Sequence, residues 1–180
     1  VGITRSARFS DPGVGGSRLQ LHYSGARGTS GASDGVQATL PFYSTYARWS
    51  FGTLAVRGSG QSHLFQNNAE VAVLADHVQE SELFVGRGWR RGGNVTRATA
   101  SFDALDRRLG PTQFAPGTQP PAAFVGPEET LKLRVAALEV RLWHPDFIVR
   151  TGVERVDRVE DFDLGRSVAI KLGVSPRAFG

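Results

Sequence analysis

Four histidines are the residues of this sequence that most readily suggest a metal site. They are His22, His63, His77 and His144. A site of this kind needs several ligands brought together, and histidine ligands usually recur at short, fixed spacings. No two of these histidines have that spacing on one predicted element, so we expect no metal here.

Carboxylates could supply calcium ligands or an acid/base pair. The densest acidic group consists of Asp157, Glu160, Asp161 and Asp163. It lacks the EF-hand spacing with its glycine and terminal glutamate, and a solvated or lumen-facing turn is the simpler interpretation. Nothing in the sequence orients the pairs Glu80/Glu82 and Glu128-Glu129 for catalysis. The sequence therefore predicts no catalytic, cofactor-binding or metal-binding residue and no enzyme.

Composition removes further classes of function. Cysteine is absent, which excludes disulfides, thiol catalysis and cysteine-ligated metals. The glycine-rich segment 13–16 precedes no helix, so it is a turn and not a phosphate loop. The chain carries a net charge of +4, but its arginines are scattered singly. The densest groups are Arg87, Arg90, Arg91 and the pair Arg107-Arg108. Because nucleic-acid binding requires clustered cations, preferably with stacking aromatics, we expect no nucleic-acid partner.

The elements that must position these residues are predicted to be β-strands. With 22 glycines and 9 prolines, the chain is rich in turn formers. Apolar and polar residues alternate in most other segments, as in a strand with one apolar face. We expect roughly nine antiparallel strands in one domain spanning residues 1–180, with no internal repeat. Polar or proline-rich stretches that lack alternation predict loops at Ser24–Gly35, Gly58–Asn68 and Asp106–Pro127.

Two local predictions concern the C-terminal part of the chain. Residues 156–174 resemble a β-hairpin that turns at Asp161-Phe162-Asp163-Leu164-Gly165, where aspartates can bond nearby amides and Gly165 permits a positive φ. Alternation also changes parity between Leu131 and Leu142, which predicts a β-bulge near Ala136-Ala137.

A soluble β-sandwich and a transmembrane β-barrel both alternate in this way. Short turns that interleave with longer loops favour the barrel, as do polar residues within strands and aromatics near strand ends. Those aromatics are Tyr23, Phe42, Tyr43, Tyr46, Trp49, Trp89 and Trp143. In a barrel, the apolar strand positions face outward, whereas in a sandwich they pack against each other. They are Leu19, Leu21, Val36, Ala38, Trp49, Phe51, Val168 and Ile170.

Three groups of segments resemble the barrel domain of BamA-like outer-membrane proteins, the bacterial surface-antigen superfamily, and occur in the same order. They are residues 9–12 with 16–21, residues 40–44 with 47–49, and residues 158–165. The likeness is closest to the BamA/TamA-type members and covers most of the chain in outline. It implies part of a larger transmembrane barrel of about sixteen strands, usually preceded by POTRA repeats.

The resemblance also implies a function. Such proteins insert or translocate other polypeptides at the bacterial outer membrane, so the expected partners are membrane lipid and client outer-membrane or secreted polypeptides. No cofactor and no small-molecule substrate are expected. The family's Arg-Gly-Phe or Arg-Gly-Tyr loop is absent: Arg57-Gly58-Ser59 and Arg87-Gly88-Trp89 share only Arg-Gly and lie too early. With a chain that lacks methionine and begins at Val1, this indicates an internal piece of a longer protein.

Two alternatives stay open from the sequence. One is a soluble antiparallel β-domain that binds a ligand such as a glycan through its Trp and Tyr residues. The other is a barrel with a passive pore or structural role.

Overall fold

The computed structural model describes residues 3–110, 112–117, 129–151 and 159–176, and in these ranges the protein is all-β. The strands are β1 (Thr4–Asp11), β2 (Gln20–Gly28), β3 (Gly31–Leu40), β4 (Trp49–Gln66), β5 (Ala69–Arg91), β6 (Asn94–Leu109), β7 (Gln113–Phe114), β8 (Glu129–His144), β9 (Phe147–Thr151), β10 (Val159–Asp163) and β11 (Arg166–Val174). A 3₁₀ turn at Val14–Gly16 is the one helical element in the described ranges. No helix there is long and apolar enough to cross a membrane.

One antiparallel sheet contains nine of these strands, in the order β1-β2-β3-β4-β5-β6-β8-β11, with β7 paired to β5. Neighbours in the sheet are mostly neighbours in the chain, which is an up-and-down arrangement. The expected all-β, antiparallel class with roughly nine strands is confirmed. Among the described residues β1 and β11 do not pair with each other, so the sheet is open, as expected for a partial barrel.

The connections divide the sheet into two ends. The proximal end carries residues 12–19, 41–48, 92–93 and the connection between β8 and β11, which contains the separate β9–β10 hairpin. The distal end carries the two-residue turns 29–30 and 67–68. The sequence predicted long loops at these two distal positions, and this is wrong because both are two-residue turns.

Two of the predicted loops are strands. Residues 24–35 form the ends of β2 and β3, and residues 58–66 form the end of β4. The second hairpin turns at Asn67-Asn68, whose φ values of 50° and 63° suit a tight turn. Apart from Leu64 and Phe65, both stretches consist of small or polar residues on each face and have no hydrophobic period, yet continuous backbone pairing holds them extended.

The third predicted loop is partly ordered into strands. β6 continues to Leu109 and β7 pairs with residues 72–73 of β5. Residues 118–128, which include Glu128, lie outside the described residues.

The predicted C-terminal hairpin and bulge are also wrong. β11 pairs with β8, and β10 pairs with β9, so the Asp163-Leu164-Gly165 corner joins two different sheets. β8 runs without a register shift against β6 and β11. The apolar residues of β8 change parity for another reason. Leu131 and Leu133 lie on one face near the start of the strand, whereas Leu138 and Leu142 lie on the other face nearer its end.

The sheet has almost no core of its own. The buried apolar residues in the described ranges are Ala47, Ala72, Val95 and Ala137, three of them alanines. The accessible surface of 13364 Å² exceeds the roughly 8500 Å² that scaling gives for a folded monomer of this mass. A large apolar area is therefore left uncovered by the chain itself.

Candidate functional site

Pairing register assigns every strand residue to one of two faces, because directly opposite residues share a face. One row runs from Leu40 through Phe51 and Val85 to Ala100, Leu138 and Leu172. The face that contains this row is called the apolar face, and the opposite one the polar face. Each strand alternates between the two faces.

The apolar face is exposed across the sheet. Phe51 is 48% exposed, Leu83 62% and Ile170 62%. Seven of the eight positions singled out from the sequence lie on this face, and Leu19 lies just before β2. They do not pack against a second layer anywhere in the described ranges.

The exposed apolar band has a limited height. On β5 it runs from Trp89 to Leu83 and includes Arg87, whose guanidinium lies over the rings of Trp49 and Trp89; the next residue on the same face is Ser81. The four side chains of this stretch that share the face are spaced two residues or about 6.6 Å apart, and together they occupy about 26 Å along the strand. At the strand tilt usual for barrels, about 40°, this corresponds to about 20 Å. Outer-membrane barrels carry an apolar band about 25 Å tall.

The proximal border of the band moves diagonally across the sheet. The row of Leu21, the first apolar-face strand residue of β2, reaches β8 at Ala136, whereas the last apolar residue of β8 on this face is Leu142. The shift of six residues is about 20 Å along the strand, and the five strand intervals are about 24 Å across the sheet. These lengths give an angle of about 40° between the strands and the normal to that border, the tilt of barrel strands.

The distal border moves in the same direction. The row of Arg5 reaches β8 at Thr130. The charged residue of β8 that lies next to the band on this face is Arg134, four residues nearer the proximal end. This shift is about 13 Å along the strand over about 29 Å across the sheet, which gives an angle of about 25° between the strands and the normal to the distal border. Both borders therefore slant against the pairing rows, as a band parallel to a flat layer does when strands are tilted.

The polar face carries charges in the same middle region of the sheet. Glu82 lies opposite Asp103, and Glu139 lies opposite Lys171. The like-charged pair Glu82 and Asp103 requires solvent, because like charges directly opposite each other are destabilising in a dry contact. This face is suited to water and the other is not.

The connection 41–48 covers part of the polar face at the proximal end. The Phe42 ring lies over Gly86, where an added Cβ would be 2.9 Å from ring carbon Cζ. Gly88 is covered by the carbonyl of Ala47 and donates its N–H to Arg48 O at 2.9 Å. Arg97 stacks on Phe42 at 4.7 Å and donates to Ser44 O at 3.1 Å. The glycines of β5 thus provide the space into which this connection folds.

Arginines stack on aromatics throughout the proximal end. Arg18 lies 3.6 Å from the Tyr43 ring centre, Arg87 lies 4.4 Å from that of Trp49, and Arg90 lies 4.3 Å from that of Tyr46. These six residues are called the arginine–aromatic collar. Such contacts allow a cation to sit beside an apolar surface without losing a favourable partner.

A second cationic group lies on the apolar face just distal to the band. This distal belt comprises six cations and two carboxylates: Arg5, Arg27, Arg57, Arg108, Lys132, Arg134, Asp34 and Asp106. Asp34 accepts from Arg27 at 2.6 Å and lies 3.4 Å from Arg57. Asp106 accepts from Arg134 at 2.7 Å and 2.8 Å through its two oxygens. Six cations against two carboxylates leave a surplus of four positive charges.

The histidines do not come together. His22 lies on the polar face, His77 lies opposite Arg108, His63 bonds Glu70 at 3.0 Å, and His144 bonds Asn94 at 2.9 Å. The described ranges contain no group of three or more potential metal ligands.

The remaining acidic candidates are also dispersed. Glu80 and Glu82 lie on the polar face of β5, and Glu129 begins β8. Glu160 and Asp161 lie in β10, whose side chains up to residue 162 are not described, and Asp157 lies outside the described residues. The Arg-Gly segments at residues 57 and 87 lie within β4 and β5.

Asp163 ties the β9–β10 hairpin to the proximal end of the sheet. Its Oδ1 accepts from the amides of Asp146 at 2.9 Å and Gly165 at 2.8 Å, and its Oδ2 accepts from Trp143 Nε1 at 2.6 Å. The Asp146 amide contributes most to lowering the pKa of Asp163. Gly165 is needed for close approach and not for a positive φ, since an added Cβ would overlap the carbonyl of His144.

Comparison of the chain with protein-family models, with curated proteins and with solved structures found no match.

Proposed function

We propose that this chain is part of the membrane-embedded barrel of a BamA-like protein of the bacterial outer membrane, with a role in inserting or translocating other polypeptides. The observation that carries the membrane location is the uncovered apolar band, about 20 Å tall, with two slanted borders. Antiparallel strands are compatible with lipid because their backbone groups pair with neighbouring strands.

The surroundings of the band support the same location. Trp49 and Trp89 are about half exposed at its proximal border, where the aromatic side chains of membrane proteins meet the headgroups. Charged residues of the polar face lie opposite the band and would line a hydrated lumen. We assign the distal end to the outside of the cell because β4 and β5 continue there past the band as one long hairpin, and outer-membrane barrels carry their longer extensions on that side. The proximal end then faces the periplasm.

The assembly role is proposed from the sequence resemblance together with one property of the fold. β1 and β11 are edge strands among the described residues, and an edge strand can pair with an added strand by β-augmentation. A client strand would gain backbone hydrogen bonds there before it closes its own barrel. Further strands of the same protein would compete with a client strand for pairing at this edge.

The test of the assembly role is reconstitution. The chain is refolded into phosphatidylcholine liposomes, insertion is verified by protection from protease, and a urea-denatured barrel protein is added as client. Its folding is followed by the change in gel mobility between heated and unheated samples. Faster folding than in protein-free liposomes supports the proposal, whereas insertion without acceleration indicates a passive barrel.

Failure to insert at all would overturn the membrane location itself. A soluble, monomeric, protease-resistant chain would then favour the glycan-binding alternative. Binding of immobilised glycans, with loss of binding on Trp49→Ala, is the measurement that separates this alternative.

A further inference from the structure

The distal belt follows the apolar band. On each strand that carries one of its cations, that cation occurs on the apolar face within a few residues of the last apolar side chain. The belt shifts across the sheet in the same direction as the band, from Arg5 and Arg27 to Arg134 on β8. The cations therefore keep a nearly constant distance from the band.

We propose that the distal belt binds the phosphate groups of anionic lipids in the leaflet next to the distal end. This inference rests on the proposed membrane location and adds the chemistry of the lipid. The arginine guanidinium matches phosphate geometry with two parallel donors, and each surface cation strengthens binding to an anionic membrane about fivefold.

The two carboxylates of the belt orient the arginines without neutralising the belt. Asp34 accepts from two arginines at once, and Asp106 engages only Arg134. The Arg57 side chain remains 78% exposed and that of Arg27 remains 57% exposed. Both side chains lie on the apolar face, which is the side of the sheet that carries the band.

The position of the belt favours lipid phosphate over a soluble polyanion. The cations lie in a line across strands β1 to β8, which spans six intervals or about 29 Å. A row of this kind, bordered on one side by exposed apolar side chains, matches a headgroup layer above acyl chains. A compact pocket for a free anion would instead surround its ligand with donors.

The experiment measures lipid selectivity at the protein surface. The chain is reconstituted in phosphatidylcholine bilayers that contain a trace of spin-labelled lipid, either phosphatidylglycerol or phosphatidylcholine. Electron paramagnetic resonance then gives the immobilised fraction of each label. The proposal is tested with Arg57→Gln/Lys132→Gln, and the matched control is Arg8→Gln/Lys171→Gln, which removes the same two charges from the polar face.

We expect labelled phosphatidylglycerol to be preferred by the unmodified chain, and the preference to fall about threefold or more in Arg57→Gln/Lys132→Gln. The control should retain it, and 1 M salt should reduce it in both because the Debye length falls to about 3 Å. Equal loss in both variants would show net charge alone and overturn the proposal.

The result also separates the two levels of inference. Immobilised phosphatidylcholine without a preference for phosphatidylglycerol overturns the belt proposal and leaves the membrane location standing. Absence of any immobilised lipid overturns the membrane location.

Discussion

Leu138→Arg places a charge at the middle of the apolar band. Leu138 lies on the apolar face of β8, opposite Ala100 and Leu172, and is 51% exposed. The substitution removes little packing, because no second layer covers this side chain in the described ranges. Its effect on stability therefore reports what surrounds the sheet.

The size of the effect differs sharply between the two environments. Arginine at the middle of the lipid-facing surface of a barrel costs about 2–4 kcal/mol. An exposed substitution in water changes stability by about 0.5 kcal/mol or less. With a urea dependence of about 2 kcal/mol/M, a lipid-facing Leu138 gives a fall in the unfolding midpoint of about 1–2 M.

The assay is urea unfolding of the chain from phosphatidylcholine liposomes, followed by tryptophan fluorescence. Thr130→Arg is the matched control, because Thr130 lies on the same face of the same strand but beyond the distal border of the band. It should shift the midpoint by less than about 0.5 M, since the cost of a charge falls to about 0–1 kcal/mol near the interface. Equal shifts for the two variants would refute the depth argument.

Three further results are expected. Gly86→Ala should destabilise the protein by about 1–3 kcal/mol by displacing the Phe42 ring, whereas Gly58→Ala, which meets only a carbonyl at 3.8 Å, should be tolerated in urea unfolding. Gly165→Ala should free the β9–β10 hairpin, measured as faster proteolysis between β8 and β11; an unchanged cleavage rate would contradict the close approach at His144. Because the pKa of Asp163 is lowered, the stability that it contributes is complete above its unfolded pKa and is lost as the pH falls through the lowered value, below about pH 4. Hydrogen exchange of the Asp146 amide should accelerate in that range, relative to the trend of neighbouring amides.

The sequence predicted the strands wherever one face is apolar and the other polar. Residues 49–55 and 131–142, where apolar and polar residues alternate, lie in β4 and β8. Residues 24–35 were predicted to be a loop because a strand with water on both faces has no hydrophobic period. Only pairing with neighbouring strands shows that these residues are extended.

Strand partners were harder to predict than strands. Alternation from Val168 to Val174 shows that the segment is a strand, but it carries no information on which strand it pairs with. β11 therefore pairs with β8, although β10 is closer in the chain. The bonds that Asp163 makes to nearby amides were predicted from its side chain, and the reason for Gly165 was not.

The candidate site was predictable residue by residue but not as a surface. The apolar positions such as Phe51 and Ile170 could be assigned to one face from their spacing. The slant of the band and the distal belt depend on register across six or more strands, which the sequence does not encode locally. Cations that are scattered in the sequence form a belt only because the pairing register brings Arg5, Arg57 and Lys132 to one border of the band.

The central claim is that the apolar face contacts lipid while the polar face contacts water. Spin labels placed singly at Phe51 and Ile170 on the apolar face, and at Lys171 on the polar face, test it in liposomes. We expect the labels at Phe51 and Ile170 to collide with oxygen, which dissolves in acyl chains, and the label at Lys171 to collide with a water-soluble nickel complex. Nickel access at all three sites, or immobilised labels shielded from both reagents at Phe51 and Ile170, would contradict it.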